Sequence, residues 1–412
     1  MRPALWSVAI QAAGSAATLA AALLVAHELG LAAQGEFGLL RSWTDAAVTL
    51  AVLGFPQALL HLQYRAGVPI AALRGWVRRY VVALIGGVAL LMLAAWIAWP
   101  ATGRAPLPPL VFVAAAAVPL AAAHLLWRAL ALREVGIVPY ALLTVAPALL
   151  ILIVLLPICL AGWRGGLAWA LLAASAAAAL VSGALVRRAA HRRAEAGDAA
   201  TAWSQRALWS VSVETGGQNV LTALTPAVVL SLAGALGGPL AQVGIVSLGL
   251  HVYQLFGVTA AYVAPLVYDR AARADRPLGG RELAALLRAN ATPRVLFGLV
   301  AVVGLGAGLM PSLWPAGAAS ALLVVAMALA GALSMGVRLL VTLLLARGAF
   351  RPLTFNALGR LATASGTTAA LMQAWPATVA VPLALLVTEV VLLVWLLRLL
   401  PTSRREAQRS TA

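Results

Sequence analysis

The stretch Arg187–Arg206, RRAAHRRAEAGDAATAWSQR, divides the chain, because the sequence on either side of it is almost uninterruptedly apolar. Trp163 to Val186 before it has the composition of an apolar helix. After it comes Ala207-Leu208-Trp209-Ser210-Val211, which repeats Ala4-Leu5-Trp6-Ser7-Val8 letter for letter. The second half opens as the first did. Chains built from two copies of one unit tend to place their site where the copies meet.

With 63% of its 412 residues hydrophobic and only 10% charged, the chain is excluded from the soluble class and expected to be an all-α polytopic membrane protein. Every one of the 29 basic residues is Arg, and the net charge is +17. That charge lies in short loops between apolar segments, as loop charge of a membrane protein does, so no nucleic-acid partner is read from it. The single cysteine, Cys159, has no partner for an intramolecular disulfide. The apolar stretch behind Arg2 is too long for a signal-peptide core and reads as an uncleaved first span.

A helix needs about 20 apolar residues to cross a core of about 30 Å. On that criterion about twelve spans are expected. In the first half they are Ala4 to Glu28, Phe37 to His61, Tyr80 to Trp99, Leu107 to Leu132, Ile137 to Leu160 and Leu167 to Val186. The second half supplies Ala207 to Leu232, Ala241 to Tyr268, Val295 to Met310, Ala316 to Leu345, Leu353 to Gln373 and Val379 to Leu400. Domains follow as an N-terminal six-helix lobe (1–187), a basic cytoplasmic linker (188–206), a C-terminal six-helix lobe (207–400) and a cytoplasmic tail (401–412). Arg65, Arg74, Arg78, Arg79, Arg133, Arg270, Arg273, Arg276, Arg281, Arg288, Arg347, Arg351, Arg404, Arg405 and Arg409 fall on one side with the linker, and only Arg104 and Arg164 on the other. By the positive-inside rule both termini are expected in the cytoplasm.

The repeat continues beyond its opening. Ala33-Gln34 returns as Ala241-Gln242 and Ala71-Ala72-Leu73 as Ala284-Ala285-Leu286, while Arg128 corresponds to Arg338 and Pro139 to Pro352. Six spans per half put both copies in the same orientation, so parallel pseudo-repeats around a central cavity are expected.

Polar groups in hydrocarbon are costly and must face protein or water. Four helices keep a polar stripe at helical spacing: Gln11, Ser15 and Thr18; Arg41, Asp45 and Thr49; Glu214, Gln218 and Thr222; His251 and Gln254. These are the expected cavity-lining positions. Arg41 and Asp45 lie roughly 6 and 12 Å below the outer end of their span and are spaced to bond. Either they neutralise each other and fix packing, or Arg41 is offered to an anionic substrate that Asp45 holds or releases. Glu214 has no cation within a turn of its own helix, so it is a candidate for ion coupling with Asp45, or a packing partner for a residue such as Gln11. Arg128, Arg338 and Arg360 near span ends either snorkel to the interface or face the cavity. Glu389 stands alone in the last span, and His251 is equally readable as a satisfied core histidine.

The sequence has no Walker motif and no metal-ligand cluster, so no cofactor is expected. The outer loops are too short to hold the catalytic carboxylates of an external enzyme, so an enzyme is not expected either.

The opening LWSVAIQAAGSAATLAAALLVAHELGLAAQGEFGLLRSWTDAAVTLAVLGFPQALLHL has Leu29-Gly30 ending the first span, Gly35-Glu36-Phe37-Gly38 opening the second and Leu53-Gly54 within it. It resembles polysaccharide and O-antigen flippases of the multidrug/oligosaccharidyl-lipid/polysaccharide (MOP) exporter superfamily. The motif covers roughly the first sixty residues, whereas helix count and short loops are similar throughout. The resemblance implies a MATE-like fold and an undecaprenyl-diphosphate-linked glycan moved from the inner to the outer leaflet by alternating access. It implies a cationic lumen, matched here by Arg41, Arg128, Arg338 and Arg360 as diphosphate-binding residues. Membrane lipids, a glycan polymerase and other assembly proteins are the implied partners. The chain lacks the two extra helices of lipid II flippases. A cation-coupled multidrug exporter of the same superfamily is the alternative, and it would prefer an anionic lumen. A non-transporting scaffold of a glycan synthesis complex is the third reading.

Reporter fusions after Gly197 and Pro277 are expected to report cytoplasm, and fusions after Gly103 and Gly234 periplasm. A periplasmic signal at Gly197 would overturn both the repeat assignment and the orientation.

Overall fold

The computed structural model describes residues 2–64, 68–99, 108–135, 137–195, 204–236, 238–273, 318–346 and 350–409. Among the described residues there are twelve helices and no strand. They are α1 (Arg2–Glu28), α2 (Leu31–Val52), α3 (Phe55–Tyr64), α4 (Ile70–Ala98), α5 (Pro109–Val135), α6 (Ile137–Leu160), α7 (Gly166–Glu195), α8 (Gln205–Ala235), α9 (Leu240–Arg273), α10 (Ala318–Ala346), α11 (Phe350–Leu371) and α12 (Ala377–Arg409). Seven of these are long and apolar enough to cross a membrane, or eight when the bent α2–α3 pair counts as one. In α1 and α9 only Ala13–Glu28 and Leu240–Phe256 qualify as shorter apolar stretches. Val295 to Met310, expected as a span, lies outside the described residues, as do Arg276, Arg281 and Arg288.

One expectation is corrected. The span expected as one helix from Phe37 to His61 starts at Leu31 and breaks between α2 and α3 with a bend of 43°. Within the segment 188–206, α7 runs on to Glu195. Arg187 to Glu195 is rich in Arg and Ala, which are strong helix formers, so the helix outlasts the apolar span.

The chain forms two compact units. The first comprises Met1–Leu29 and Glu36–Ala227, and the second Gly30–Gly35 and Val228–Ala412. In the first unit α5 packs along α7 and α1 along α6, with α3 and α4 against α5. The break between α2 and α3 is built by Leu53 and Gly54, both with positive φ, 35° and 76°. Gly54 takes that conformation at little cost, whereas Leu53 is held in it by its surroundings. A break at membrane depth frees carbonyls that hydrocarbon cannot satisfy. Here the Tyr80 hydroxyl donates to the Ala51 carbonyl and the Ser212 hydroxyl to that of Leu53. The backbone of α8 can come so close only because residue 216 is Gly: a Cβ there would lie 2.6 Å from the Leu53 carbonyl. Phe55, fully buried, closes the break with ring centroids 4.9 Å from Trp76, 5.0 Å from Tyr80 and 4.7 Å from Trp209. Only the first turns of α4 are buried, through Ile70, Leu73, Trp76 and Val77. Farther along, Val82, Leu90, Leu91, Trp96 and Ile97 are exposed, as a lipid-facing span requires.

In the second unit α10 packs against α9 and α12, and α11 against α12. The first turn of α2 belongs here and crosses α9 backbone to backbone. A Cβ on Gly35 would meet the Leu240 carbonyl oxygen at 2.2 Å, and one on Gly244 the Leu31 carbonyl oxygen at 2.0 Å. Close crossings over small residues replace the hydrophobic effect as the packing force between helices in lipid. Beside the crossing Gln34 Nε2 donates to Ser247 Oγ at 3.3 Å.

Gly35→Val is expected to destabilise the protein by about 3 kcal/mol through overpacking. Gly87→Ala, whose new Cβ meets nothing within 4 Å, is expected to be neutral. Thermal unfolding of both purified variants in detergent checks the contrast.

Candidate functional site

α2 carries Arg41, Asp45 and Thr49 on successive turns, so their side chains share a stripe. Thr49 spends its hydroxyl on the Asp45 carbonyl at 2.8 Å, a local bond that leaves the Asp45 carboxylate untouched. Arg41 Nε lies 3.9 Å from Asp45 Oδ2, beyond hydrogen-bond reach. The two ends differ in exposure: the Arg41 side chain is 19% exposed and that of Asp45 69%. Arg41 Nη1 is buried without a hydrogen-bond partner. A buried guanidinium donor that no protein acceptor satisfies is costly, and its cost is relieved by an anion. A neighbouring face of α2 lines an apolar pocket of about 580 Å³ with α5, through Leu40, Trp43, Thr44, Ala114 and Val118. Neither Arg41 nor Asp45 belongs to that lining.

Arg128 on α5 is half-buried, with its guanidinium carbon 5.6 Å from the Tyr140 ring centroid on α6, a cation–π placement. Its Nε is likewise buried without a partner. One turn earlier His124 shares Nδ1 between the Ala178 carbonyl at 3.2 Å and Ser182 Oγ at 3.3 Å, a polar tie from α5 to α7. The sequence held no pattern for that contact.

The second unit handles its charges otherwise. Arg360 on α11 and Glu389 on α12 are buried, Glu389 completely. Arg360 Nη1 bonds Glu389 Oε1 and Nη2 bonds Oε2 at 3.0 Å, the forked geometry that makes Arg–carboxylate pairs strong. The Tyr253 hydroxyl accepts from Arg360 Nη1 at 2.7 Å and donates to Glu389. Ser334 completes the cluster, 3.1 Å from the Tyr253 hydroxyl. Arg338 is half-buried within electrostatic range of Tyr253, Arg360 and Glu389. Arg360 is therefore placed otherwise than expected: its guanidinium is neutralised inside the protein and neither snorkels nor stands open to a diphosphate. Glu389, alone in its own helix, is paired across helices.

The remaining stripe residues divide. Ser15, Thr18, Thr49, Gln218 and Thr222 are half-buried, and Thr222 donates to the Gln218 carbonyl at 2.8 Å. Gln254 is exposed, whereas His251 is buried and its Nδ1–H donates to the Ser247 carbonyl at 2.7 Å, as a core histidine does. Gln11 and Glu214 lie on α1 and α8, with their side chains outside the described residues. Among the described residues no three His, Cys, Asp or Glu side chains converge as metal ligands.

No family model matches the chain, and no curated protein does. Solved structures match over nearly its whole length. An inward-facing conformation of a multidrug resistance MATE family transporter of the MOP superfamily superposes with a TM-score of 0.65 at 12% identity, covering 98% of this chain and 99% of that one. An outward-facing conformation of such a transporter gives 0.64 at 13%, covering 98% and 95%. A MOP superfamily transporter from Pyrococcus furiosus gives 0.58 at 12%, covering 98% and 94%. The fold is MATE-like. At such identities the likeness concerns the fold, and the chemistry rests on this chain's own residues.

Removing one member of the buried pair, by Arg360→Met or Glu389→Leu, is expected to cost about 3–5 kcal/mol of stability because it strands the other charge. The double variant is expected to recover most of that loss. Denaturant unfolding of the purified proteins in detergent measures the cycle.

Proposed function

We propose that the protein is a transporter that moves an undecaprenyl-diphosphate-linked glycan from the inner to the outer leaflet of a bacterial inner membrane by alternating access. The observation that carries this reading is Arg41, whose buried Nη1 lacks a partner while its carboxylate neighbour stands 3.9 Å off and exposed. A diphosphate supplies what that geometry lacks, several strong acceptor oxygens for a forked donor. Arg128, with its own unpartnered Nε, and Arg338 are the further cationic groups of the reading. Arg360 is left out of it, being engaged by Glu389. The excess of Arg over acidic residues points the same way, since a carrier of cations needs carboxylates. The MATE-like fold supports transport by alternating access. The Pyrococcus furiosus neighbour is described as having a binding pocket of reverse polarity that suggests a different function, so the fold tolerates more than one pocket charge.

Arg41→Ala is expected to reduce surface glycan at least tenfold at unchanged protein level, in a strain that depends on this chain for export. Arg41→Lys is expected to restore it only in part, because a point charge cannot replace the fork. Loss of folded protein in Arg41→Ala, with recovery in Arg41→Ala/Asp45→Ala, would make the pair structural. Unchanged glycan with raised accumulation of a cationic dye would favour the multidrug exporter, and glycan export restored by an inactive but folded variant would favour the scaffold.

A further inference from the structure

A second cationic feature lies in the first unit, on helices that the Arg41 stripe does not use. The apolar part of α4 begins at Tyr80, and that of α7 ends at Val186. Both helices continue past these points, α4 backward to Ile70 and α7 forward to Glu195. Their extensions enclose a pocket of about 600 Å³. Arg74 and Arg78, one turn apart on α4, face Arg187, Arg188 and His191 on α7 across it. Its floor is unobstructed at Gly75, where an added Cβ would meet nothing within 4 Å.

Three features set this pocket apart from ordinary loop charge. Its basic residues are on rigid helices, and they converge from two of them. Its described lining holds four arginines and no carboxylate. Like charges so placed repel one another, and the arrangement is relieved by an anion drawn from outside. The position matters as well. Arg187 directly follows Val186 at the end of the apolar run of α7, and Arg74 and Arg78 precede the apolar run of α4. The ends of apolar spans lie at headgroup depth, and that is where these residues place the pocket.

We propose that this pocket binds the headgroup of a membrane lipid carrying two phosphates. Two forked guanidiniums suit one phosphate, and four suit two. A pocket of about 600 Å³ accommodates both groups. Basic pockets between helices at this depth are where phosphate headgroups dock. The shared chemistry is a pair of phosphates, and two lipids supply it: a bulk diphosphatidyl lipid and a polyprenyl diphosphate. The proposal stands apart from the transport reading, because it involves neither Arg41 nor any movement.

The test uses the full-length protein in nanodiscs of phosphatidylcholine doped in turn with cardiolipin, undecaprenyl diphosphate or phosphatidylglycerol. Lipid retained after detergent washing is counted by mass spectrometry. Either two-phosphate lipid is expected to be retained at least tenfold over phosphatidylglycerol, the better of the two identifying the source, and inorganic pyrophosphate is expected to compete. Arg74→Gln/Arg187→Gln should lose at least tenfold of that retention, and Gly75→Leu, which fills the floor without changing charge, should lose a similar amount. Arg404→Gln/Arg405→Gln removes equal charge from the tail and should change nothing. Equal retention of phosphatidylglycerol would overturn the two-phosphate assignment, and equal loss in the tail variant would reduce the pocket to general surface charge. Retention unaffected by a folded Gly75→Leu variant would overturn the site. Since Arg41 is intact in every variant, none of these outcomes repeats the export experiment.

Discussion

Hydrocarbon offers a polar group nothing to bond, and each feature of this chain that departs from a straight apolar helix is arranged around that fact. The bend between α2 and α3 shows it most directly. Turning the chain at Leu53 and Gly54 releases carbonyls, and Tyr80 and Ser212 reach in from other helices to receive them. Those two hydroxyls, the close approach of Gly216 and the aromatic cage around Phe55 form one solution. A bent helix at membrane depth is stable only where protein takes over the role of water. Arg164 serves the same end, donating to the Leu29 carbonyl at 3.0 Å where α1 terminates.

The same constraint sorts the charges. Arg360 and Glu389 satisfy each other through two parallel bonds, with Tyr253 bridging, and the cluster closes on itself. Such a pair fixes the packing of α9, α11 and α12, since loss of either partner leaves an uncompensated charge. Arg41 and Asp45 look alike in sequence but are not closed. They show one contact at 3.9 Å, a mostly exposed carboxylate and a buried nitrogen without a partner. The two pairs thus differ in how closely cation and carboxylate engage.

Spacing along the chain made part of this legible. Apolar lengths placed α5, α6, α9, α10, α11 and α12 to within a few residues at most ends, apart from the charged extension of α12 to Arg409. The i,i+4 rule joined Arg41 to Asp45. Features that depend on distant segments were not readable. Arg360 and Glu389 stand 29 residues apart on separate helices, so no local period links them. Gly35 and Gly244 each resemble any other membrane glycine until the crossing is seen. The break at Leu53-Gly54 left a dipeptide signal, yet hydropathy runs through it undisturbed, because the bend changes direction and not polarity. The pocket between α4 and α7 is hidden for a different reason: in sequence its arginines look like loop charge, and the helical extensions that carry them follow from propensity beyond the apolar spans.

Under the flippase reading, the closeness of Asp45 to Arg41 also answers an energetic difficulty. A diphosphate carries about two negative charges, and an inside-negative membrane favours their outward passage by about 2.3 kcal/mol per charge per 100 mV. Under that reading the potential favours the loaded step, and a proton taken up by Asp45 or Glu214 would add the pH gradient to it. The empty carrier must then return, and an uncompensated guanidinium would couple that step to the field as well. Asp45, one turn away, offsets the Arg41 charge when no substrate is present. Its exposure keeps it from closing on the guanidinium as Glu389 closes on Arg360, so an incoming diphosphate does not have to break a fully formed pair. A loose intrahelical pair is therefore the arrangement that lets one cation hold an anion on the way out and travel nearly neutral on the way back.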